Sequence, residues 1–558
     1  MHATIARGQE DAGIPSNQGK KANGIEQEHR HYKAASILAA LVAGFVLLQF
    51  FLPLRTAIQI GADEGFELTK ATLCLKGHHL YTEIWNDQPP LHTFLITQVL
   101  KYISPSILGP RLLTTGFTVL LLSSIFLICL RVNGLTVAAL TTAFLIASPG
   151  FLELSASCML EIPALAAAVS ALCFLLIGTA KWRFREIVSG ILFGIALQIK
   201  LVPAILLSLA AIILWIQHSK SERQVRNTTI SLLVLGLCLV MSVIVIDFII
   251  ERGAYLLNFQ QSWSSHFGHA KSADYGSASE HPFEWSLFLK NWDTSIPALY
   301  GIIFLTRRAR SDKWAILPLA WLGLALLVFG THKPWWSYYY IHTAIPLCWC
   351  AAAGLVALVQ SAKSLSGITA NNPIITGPPI PPAPARARNP NRQSSKTDRP
   401  TLSATPVRFG GLRLKWVGTL VLYGLCALPW MTGRVYLQVK GIRNLPQTYS
   451  TPVLARIERL KPFTEWIYAQ PAIYSFHTGI PMPPELAVVP LKRLWSGEMT
   501  TERIAEELRN YKPGMLLLLN SADEMPWRDL INKEYRLIYQ DDTQLLYARP
   551  SVIAKARR

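Results

Sequence analysis

Asp63 and Glu64 stand directly after the first long apolar run of the chain, where carboxylates at a membrane–water boundary could do chemistry. Neighbouring residues on a helix diverge by about 100°, so the two cannot work as an acid/base pair on one face. One can point into a cleft while the other orients a partner, a metal or the backbone. The plainer alternative is a pair of acids compensating a helix N-terminus. Further along the same stretch come Gly77-His78-His79-Leu80-Tyr81 and Asn86-Asp87-Gln88-Pro89-Pro90-Leu91. The two prolines fix φ and keep Gln88 extended, which holds a short polar segment rigid against the helix that follows. His78 and His79 invite a metal reading, but adjacent histidines rarely share an ion and no third ligand is near in sequence.

Other ionisable residues sit at the ends of apolar runs. Glu161 opens one, Lys200 closes another, and Asp247 lies near the end of a third. Lys200 reads either as a snorkelling lysine or as a contact to an anionic group. Glu161 reads either as helix-dipole compensation or as a pocket residue. The stretch THKPWWSYYYIH (331–342) adds His332, Lys333, Tyr339 and His342. An interfacial aromatic belt explains its Trp and Tyr; a lipid-phosphate or sugar site also explains the cations among them. The 251–293 loop, with Trp263, His266, His269, Trp285 and Trp292, reads as an acceptor-side lid or an ordinary polar loop.

These residues are carried by membrane-spanning elements. Of 558 residues, 51% are hydrophobic and only 16% charged, against roughly a quarter charged in soluble domains. Apolar runs near 34–54, 112–130, 135–148, 162–180, 186–199, 201–217, 229–250, 295–306, 314–330, 338–360 and 416–432 predict about eleven spans. A single helix over the pair flanking Lys200 would be about 48 Å long at 1.5 Å per residue, too long for a hydrocarbon core of about 30 Å, so two helices are expected. The fold class is thus an α-helical polytopic membrane protein with a C-terminal extracytoplasmic α/β domain. Basic clusters fall in short connections of one parity: Arg131; Lys181, Arg183 and Arg185; Lys220, Arg223 and Arg226; Arg307, Arg308, Arg310 and Lys313. The positive-inside rule then puts the N-terminus in the cytoplasm of a plasma (inner) membrane protein and Asp63 outside.

The divisions expected are a cytoplasmic tail (1–33), a multi-pass catalytic region (34–360) with outer loop 55–111, a Pro/Arg-rich cytoplasmic linker (361–415), a last span (416–432) and the external domain (433–558). In that domain AIYSF (472–476), LAVVP (486–490) and GMLLLLN (514–520) read as buried strands. Residues 502–510 read as a helix capped by Thr500 or Thr501, and 534–550 as a hairpin turning at Asp541-Asp542. Six of the eight cysteines lie in apolar runs, where they act as small hydrophobes. Cys74 and Cys158 fall in loops, and a disulfide between them stays open. The net charge of +19 is mostly the positive-inside rule plus the basic linker, so no nucleic-acid partner is implied. No compact ligand set is visible; no essential cofactor is predicted, and a divalent metal stays open.

The order of these residues resembles the multi-pass glycosyltransferases of the C superfamily (GT-C), within them the branch of protein O-mannosyltransferases and bacterial aminoarabinose transferases. It is carried by Asp63, Glu64, Gly77, Leu80, Tyr81, Pro89, Pro90, Leu91, Arg111 and Leu112. Weaker likeness runs through Glu161-Ile162-Pro163 and GILFGIALQIKLVP, so that it covers about residues 40–350. The resemblance implies inverting sugar transfer from a polyprenyl-phosphate-linked donor to a lipid, glycan or protein acceptor on the non-cytoplasmic side. It implies Asp63 as general base with Glu64 beside it, and Tyr81, Asp87, Gln88, Arg111, Glu161, Lys200, His332, Lys333, Tyr339 and His342 as donor or acceptor contacts. Family members often have Lys where this chain has Gln88, so Lys200, Arg111, His332 and Lys333 are the candidates to meet the donor phosphate. Two other classes compete: a transporter or lipid flippase, and a non-catalytic scaffold. The transporter class commonly shows repeated halves, and no internal repeat is visible; a scaffold leaves the Asp63-Glu64 and Pro-Pro-Leu loop without a purpose.

Overall fold

A computed structural model describes residues 17–56, 62–178, 183–259, 281–365, 413–444, 451–520 and 528–558. The membrane region begins with α1 (Asn17–Phe50). Two helices of the 55–111 segment follow, α2 (Ala62–Leu75) and α3 (Leu91–Tyr102), the latter opening after Pro89-Pro90 as the prolines predict. Then come α4 (Leu108–Asn133), α5 (Leu135–Ile146), the short α6 (Phe151–Ser155) and α7 (Glu161–Ile177). Next are α8 (Phe184–Ile199), α9 (Leu207–His218, led by a 3-10 turn at Val202–Leu206) and α10 (Gln224–Glu251). The remainder comprises α11 (Ala254–Leu257), α12 (Ser286–Lys290), α13 (Trp292–Arg308), α14 (Ile316–Thr331), α15 (Tyr340–Leu365) and α16 (Arg413–Asn444).

Each of the eleven apolar runs falls on a helix. The pair flanking Lys200 is two helices, because Lys200 is extended (φ −155°, ψ 141°) and Pro203 opens the next turn. By length and composition, five helical stretches among the described residues can cross a membrane: Glu28–Phe50, Leu108–Asn133, Gln224–Glu251, Lys313–Thr331 and Ser337–Ser361. Three shorter apolar ones accompany them: Leu135–Ile146, Glu161–Ile177 and Val202–His218. The chain is an integral membrane protein. Leu233, Leu237, Val240, Met241 and Phe248 lie exposed along α10, and Val421, Leu422, Leu425 and Leu428 along α16, surfaces that only lipid would cover favourably. Close approach is allowed by glycine where α13 meets α15: a Cβ on Gly301 would strike the Cys350 carbonyl, and one on Gly354 the Pro297 carbonyl. Small residues at such crossings let helix backbones touch. The last helix is pinned by Arg434, which binds both carboxylate oxygens of buried Asp293 (2.8 and 2.7 Å), the Asn291 side chain and the Ala147 carbonyl.

Helix α16 carries the last span continuously to Asn444, past residue 432. The C-terminal region then contains α17 (Thr451–Leu460), β1 (Ile467–Ala469), α18 (Ile473–Thr478), α19 (Leu491–Trp495), α20 (Thr501–Tyr511), β2 (Met515–Leu519), α21 (Arg528–Glu534), β3 (Arg536–Gln540), β4 (Gln544–Ala548) and α22 (Pro550–Arg557). The sheet order is β1-β2-β4-β3, with β1/β2 parallel and the other pairs antiparallel. Thr500 caps α20 by accepting the Arg503 N–H. The hairpin turns at Asp541, whose carboxylate accepts the N–H groups of Thr543 and Gln544. Two expected strands are corrected: 472–476 lies in α18, and 486–490 is a 3-10 turn (Pro484–Leu486) followed by irregular chain. A short apolar run carries no periodicity to tell strand from helix, and Pro483, Pro484 and Pro490 remove backbone donors that a ladder needs. All eight cysteines are free, Cys74 and Cys158 included. Most of the tip of the 251–293 loop and most of the linker 361–415 lie outside the described residues.

One packing relation positions the site. Leu68, Ala71, Leu80, Ile84, Trp85, Ile96 and Leu100 of the 62–102 segment share a single hydrophobic core with the C-terminal domain. The Thr69 hydroxyl donates to the Ala472 carbonyl at 3.2 Å, and Gly65 lies under Ile473.

Candidate active site

Asp63 and Glu64 occupy the first turn of α2 and diverge as helix geometry requires. Glu64 turns inward and is fully buried. Its oxygens accept Arg111 Nε and Nη2 at 2.9 Å each, and Oε1 also accepts the Cys158 N–H at 3.0 Å. Arg111, equally buried, gives Nη1 to the Leu54 carbonyl at 3.1 Å. This fork-to-fork pair ties the end of the first span, α2, α4 and the 149–160 connection to one another. Glu64 and Arg111 therefore face each other rather than the space Asp63 faces.

Asp63 is half-buried and turns the other way. The Tyr338 hydroxyl hydrogen-bonds with its carboxyl, and Lys200, Tyr339 and Lys492 lie within electrostatic range. Lys200 ends α8, is buried, and contacts Glu161 at the start of α7. Its ammonium lies 5.3 Å from the ring centres of both Tyr338 and Tyr339, a cation held over two aromatic faces. His342 stacks on Phe329 (centroids 4.7 Å apart) near Lys200, with neither ring nitrogen hydrogen-bonded. His332 and Lys333 lie on the exposed loop between α14 and α15, His332 against Tyr339.

Behind Asp63 lies a polar layer that stiffens the loop. One turn on from Asp63, Glu67 accepts Lys70 Nζ at 2.6 Å and the Thr93 hydroxyl at 3.1 Å, with His92 at 3.4 Å. Burial would raise the Glu67 carboxyl, but Lys70 and His92 outweigh it and hold it down at about 2. Lys70 also donates to Asn86 Oδ1 at 2.8 Å. The Gln88 carbonyl takes both the Asn86 amide (2.8 Å) and the Tyr81 hydroxyl (2.7 Å). Tyr81 itself sits at φ +67°, a left-handed conformation that side chains rarely adopt; its ring packs 5.5 Å from that of Tyr255. Gln88 Nε2 donates to Asp87 Oδ2 at 2.9 Å, and Asp87 in turn contacts Lys492 of the C-terminal domain. Burial is the largest influence on Lys492 and favours its neutral form; Asp63 and Glu67 oppose it, as does direct contact with Asp87.

The structure thus gathers Asp63, Glu161, Lys200, Tyr339 and His342 round one space, reaches it through Asp87, and assigns Tyr81 and Gln88 to the scaffold of the loop. Sequence reasoning passed over Tyr338 and Lys492. Tyr338 was visible inside the aromatic stretch; Lys492 is remote in the chain and had no local signal. Among the described residues no group of three or more His, Cys, Asp or Glu is placed to hold a metal ion.

The bundle has the fold of the solved structures named below, and the resemblance seen in the sequence is matched by a family model over part of the chain. The family described as dolichyl-phosphate-mannose-protein mannosyltransferase matches residues 87–246. Among solved structures, the chain is similar to ArnT from Cupriavidus metallidurans bound to undecaprenyl phosphate. The identity is 15% and the TM-score 0.54, with 91% of this chain and 97% of that one covered. The apo form of ArnT gives 15%, 0.57, 94% and 99% in the same terms. It is similar also to the oligosaccharyltransferase AglB from Archaeoglobus fulgidus in complex with an inhibitory peptide and a dolichol-phosphate (11% identity, TM-score 0.53, covering 93% and 74%). No curated protein matches the chain.

Proposed function

We propose that the protein is an inverting glycosyltransferase of the plasma (inner) membrane, with its N-terminus cytoplasmic and its site outside. It moves a hexose or pentose from a polyprenyl-phosphate donor to a hydroxyl of a lipid, glycan or protein. Asp63 takes the hydroxyl proton as the acceptor oxygen attacks the anomeric carbon from the face opposite the phosphate. The bond from that carbon to the phosphate oxygen breaks, and polyprenyl phosphate leaves with the electron pair. The observation that carries this reading is the opposed fate of two adjacent carboxylates. Glu64 is consumed by Arg111, whereas Asp63 is left half-exposed beside a hydroxyl and buried ammonium groups. Cationic side chains round the site stabilise the leaving anion, and no essential divalent metal is proposed. The transporter reading has no observation in its favour.

The test replaces Asp63 by Asn and follows labelled sugar transfer from polyprenyl-phosphate donors in membranes, with and without EDTA. Loss of a general base lowers the rate by about 10² to 10⁴, and EDTA leaves the parent rate unchanged. Transfer by the Asp63→Asn protein at the parent rate would sink the assignment.

A further inference from the structure

We propose that Lys492, brought in by the external domain, is the cation that receives the donor's phosphate, and that Asp87 holds it in place until the donor arrives. This deepens the reading above and rests on it.

Lys492 is no stray surface lysine. It lies in α19, and the chain around it is clamped from two sides. Glu498 accepts the Trp85 indole N–H at 2.5 Å, and the Arg493 guanidinium lies 5.1 Å over the Trp85 ring. Arg493 also donates to the Glu485 and Val488 carbonyls (2.8 and 2.9 Å), which fixes α19 within its own domain. On the other side Trp495 stacks parallel to Trp336 (2° between planes, 6.4 Å between centres), and His281 lies against both rings. The helix therefore bridges the 85–88 segment and the 332–336 segment, the two outer loops that flank Asp63.

Accessibility separates Lys492 from the buried cations around the site. Lys70, Arg111 and Lys200 have side chains 2%, 0% and 8% exposed, each against its own carboxylate (Glu67, Glu64 and Glu161). Lys492 is 26% exposed and faces Asp87, which is 7% exposed. Asp87 has a second donor in the Gln88 amide, so its charge stays partly satisfied when the ammonium turns to an incoming anion. Among these four described cations, Lys492 is the one placed to exchange partners. Through Asp87 it is linked to Gln88, a neutral residue that cannot itself balance a phosphate.

The test uses the full chain in lipid nanodiscs, titrated with undecaprenyl phosphate and with uncharged undecaprenol. The parent is expected to bind the phosphate more tightly than the alcohol. Lys492→Met should weaken phosphate binding about tenfold to hundredfold, the range of a lost charge-assisted hydrogen bond, and leave the alcohol unaffected. Lys492→Arg should retain most of the affinity, and Lys555→Met, on the exposed final helix, all of it. Asp87→Asn, which keeps the ammonium and removes its competitor, should bind the phosphate at least as well as the parent. Equal phosphate binding by Lys492→Met and the parent overturns the proposal while the polyprenyl-phosphate reading stands. Equal weakening toward both lipids, or loss in Asp87→Asn, makes Lys492 a packing residue and also overturns it. A parent that cannot tell the phosphate from the alcohol removes the reading and the proposal together.

Discussion

Glu64 and Arg111 offer a sharp check on the geometry around Asp63, because the two acids of one dipeptide should fail in opposite ways. Both members of the Glu64–Arg111 pair are out of contact with solvent and joined by two 2.9 Å bonds. Removing one partner of such a pair leaves a buried charge without its counter-ion, at a cost of about 3–5 kcal/mol. Glu64→Gln and Arg111→Met should each lower stability by that much. The double variant Glu64→Gln/Arg111→Met removes both charges and leaves the Leu54 carbonyl without the guanidinium, at roughly 1–3 kcal/mol. It should therefore be more stable than the sum of the singles by about 3 kcal/mol. Retention of monodisperse protein after stepwise heating in detergent gives the order of the four proteins, and denaturant unfolding the coupling. Strictly additive losses would refute the pairing. A Glu64→Gln protein as heat-resistant as the parent yet unable to transfer sugar would put Glu64 among the reacting groups.

Two further outcomes follow from buried charges. The Glu67 carboxyl titrates at about 2 in the fold against 4.5 when free, so its contribution is complete above pH 4.5 and is lost as pH falls toward 2. A shift of that size corresponds to about 3 kcal/mol. Glu67→Gln should unfold with a flatter acid limb than the parent between pH 4.5 and 2, monitored by tryptophan fluorescence, and an unchanged limb would discard the network. Asp293→Asn should weaken the attachment of α16 by about 3 kcal/mol or more, seen as faster proteolysis near residue 444; a cleavage rate equal to the parent's would contradict the anchoring role of Arg434.

Much of the architecture was legible because lipid imposes its own length scale. The eleven apolar runs became helices, and the break at Lys200 was readable from Pro203 and the 30 Å limit. Within the site, Asp63, Glu161, Lys200 and Tyr339 each lie at a helix end, where a charge or hydroxyl interrupts an apolar run and so shows in the sequence. Helix rotation also anticipated that Asp63 and Glu64 would part. What the sequence could not display was which of them turns inward, since that is decided by Arg111, 47 residues on. Lys492 was hidden for the same reason at greater range: its neighbours in space are Asp87 and Asp63, and its neighbours in sequence are an ordinary amphipathic turn. The strands expected at 472–476 and 486–490 failed where short apolar runs beside prolines left periodicity silent.

The common core of the 62–102 segment and the C-terminal domain has a consequence for biogenesis. The ribosome makes Leu68, Ile84, Trp85 and Ile96 hundreds of residues before their partners Ile473, Leu516 and Leu546. Until those partners arrive, the apolar face of this segment lacks its cover. Helix α19 takes its place beside Trp85 only once the C-terminal segment has been made. The surroundings of Asp63 are therefore completed at the end of synthesis rather than as the bundle assembles, and an unfinished chain lacks Lys492.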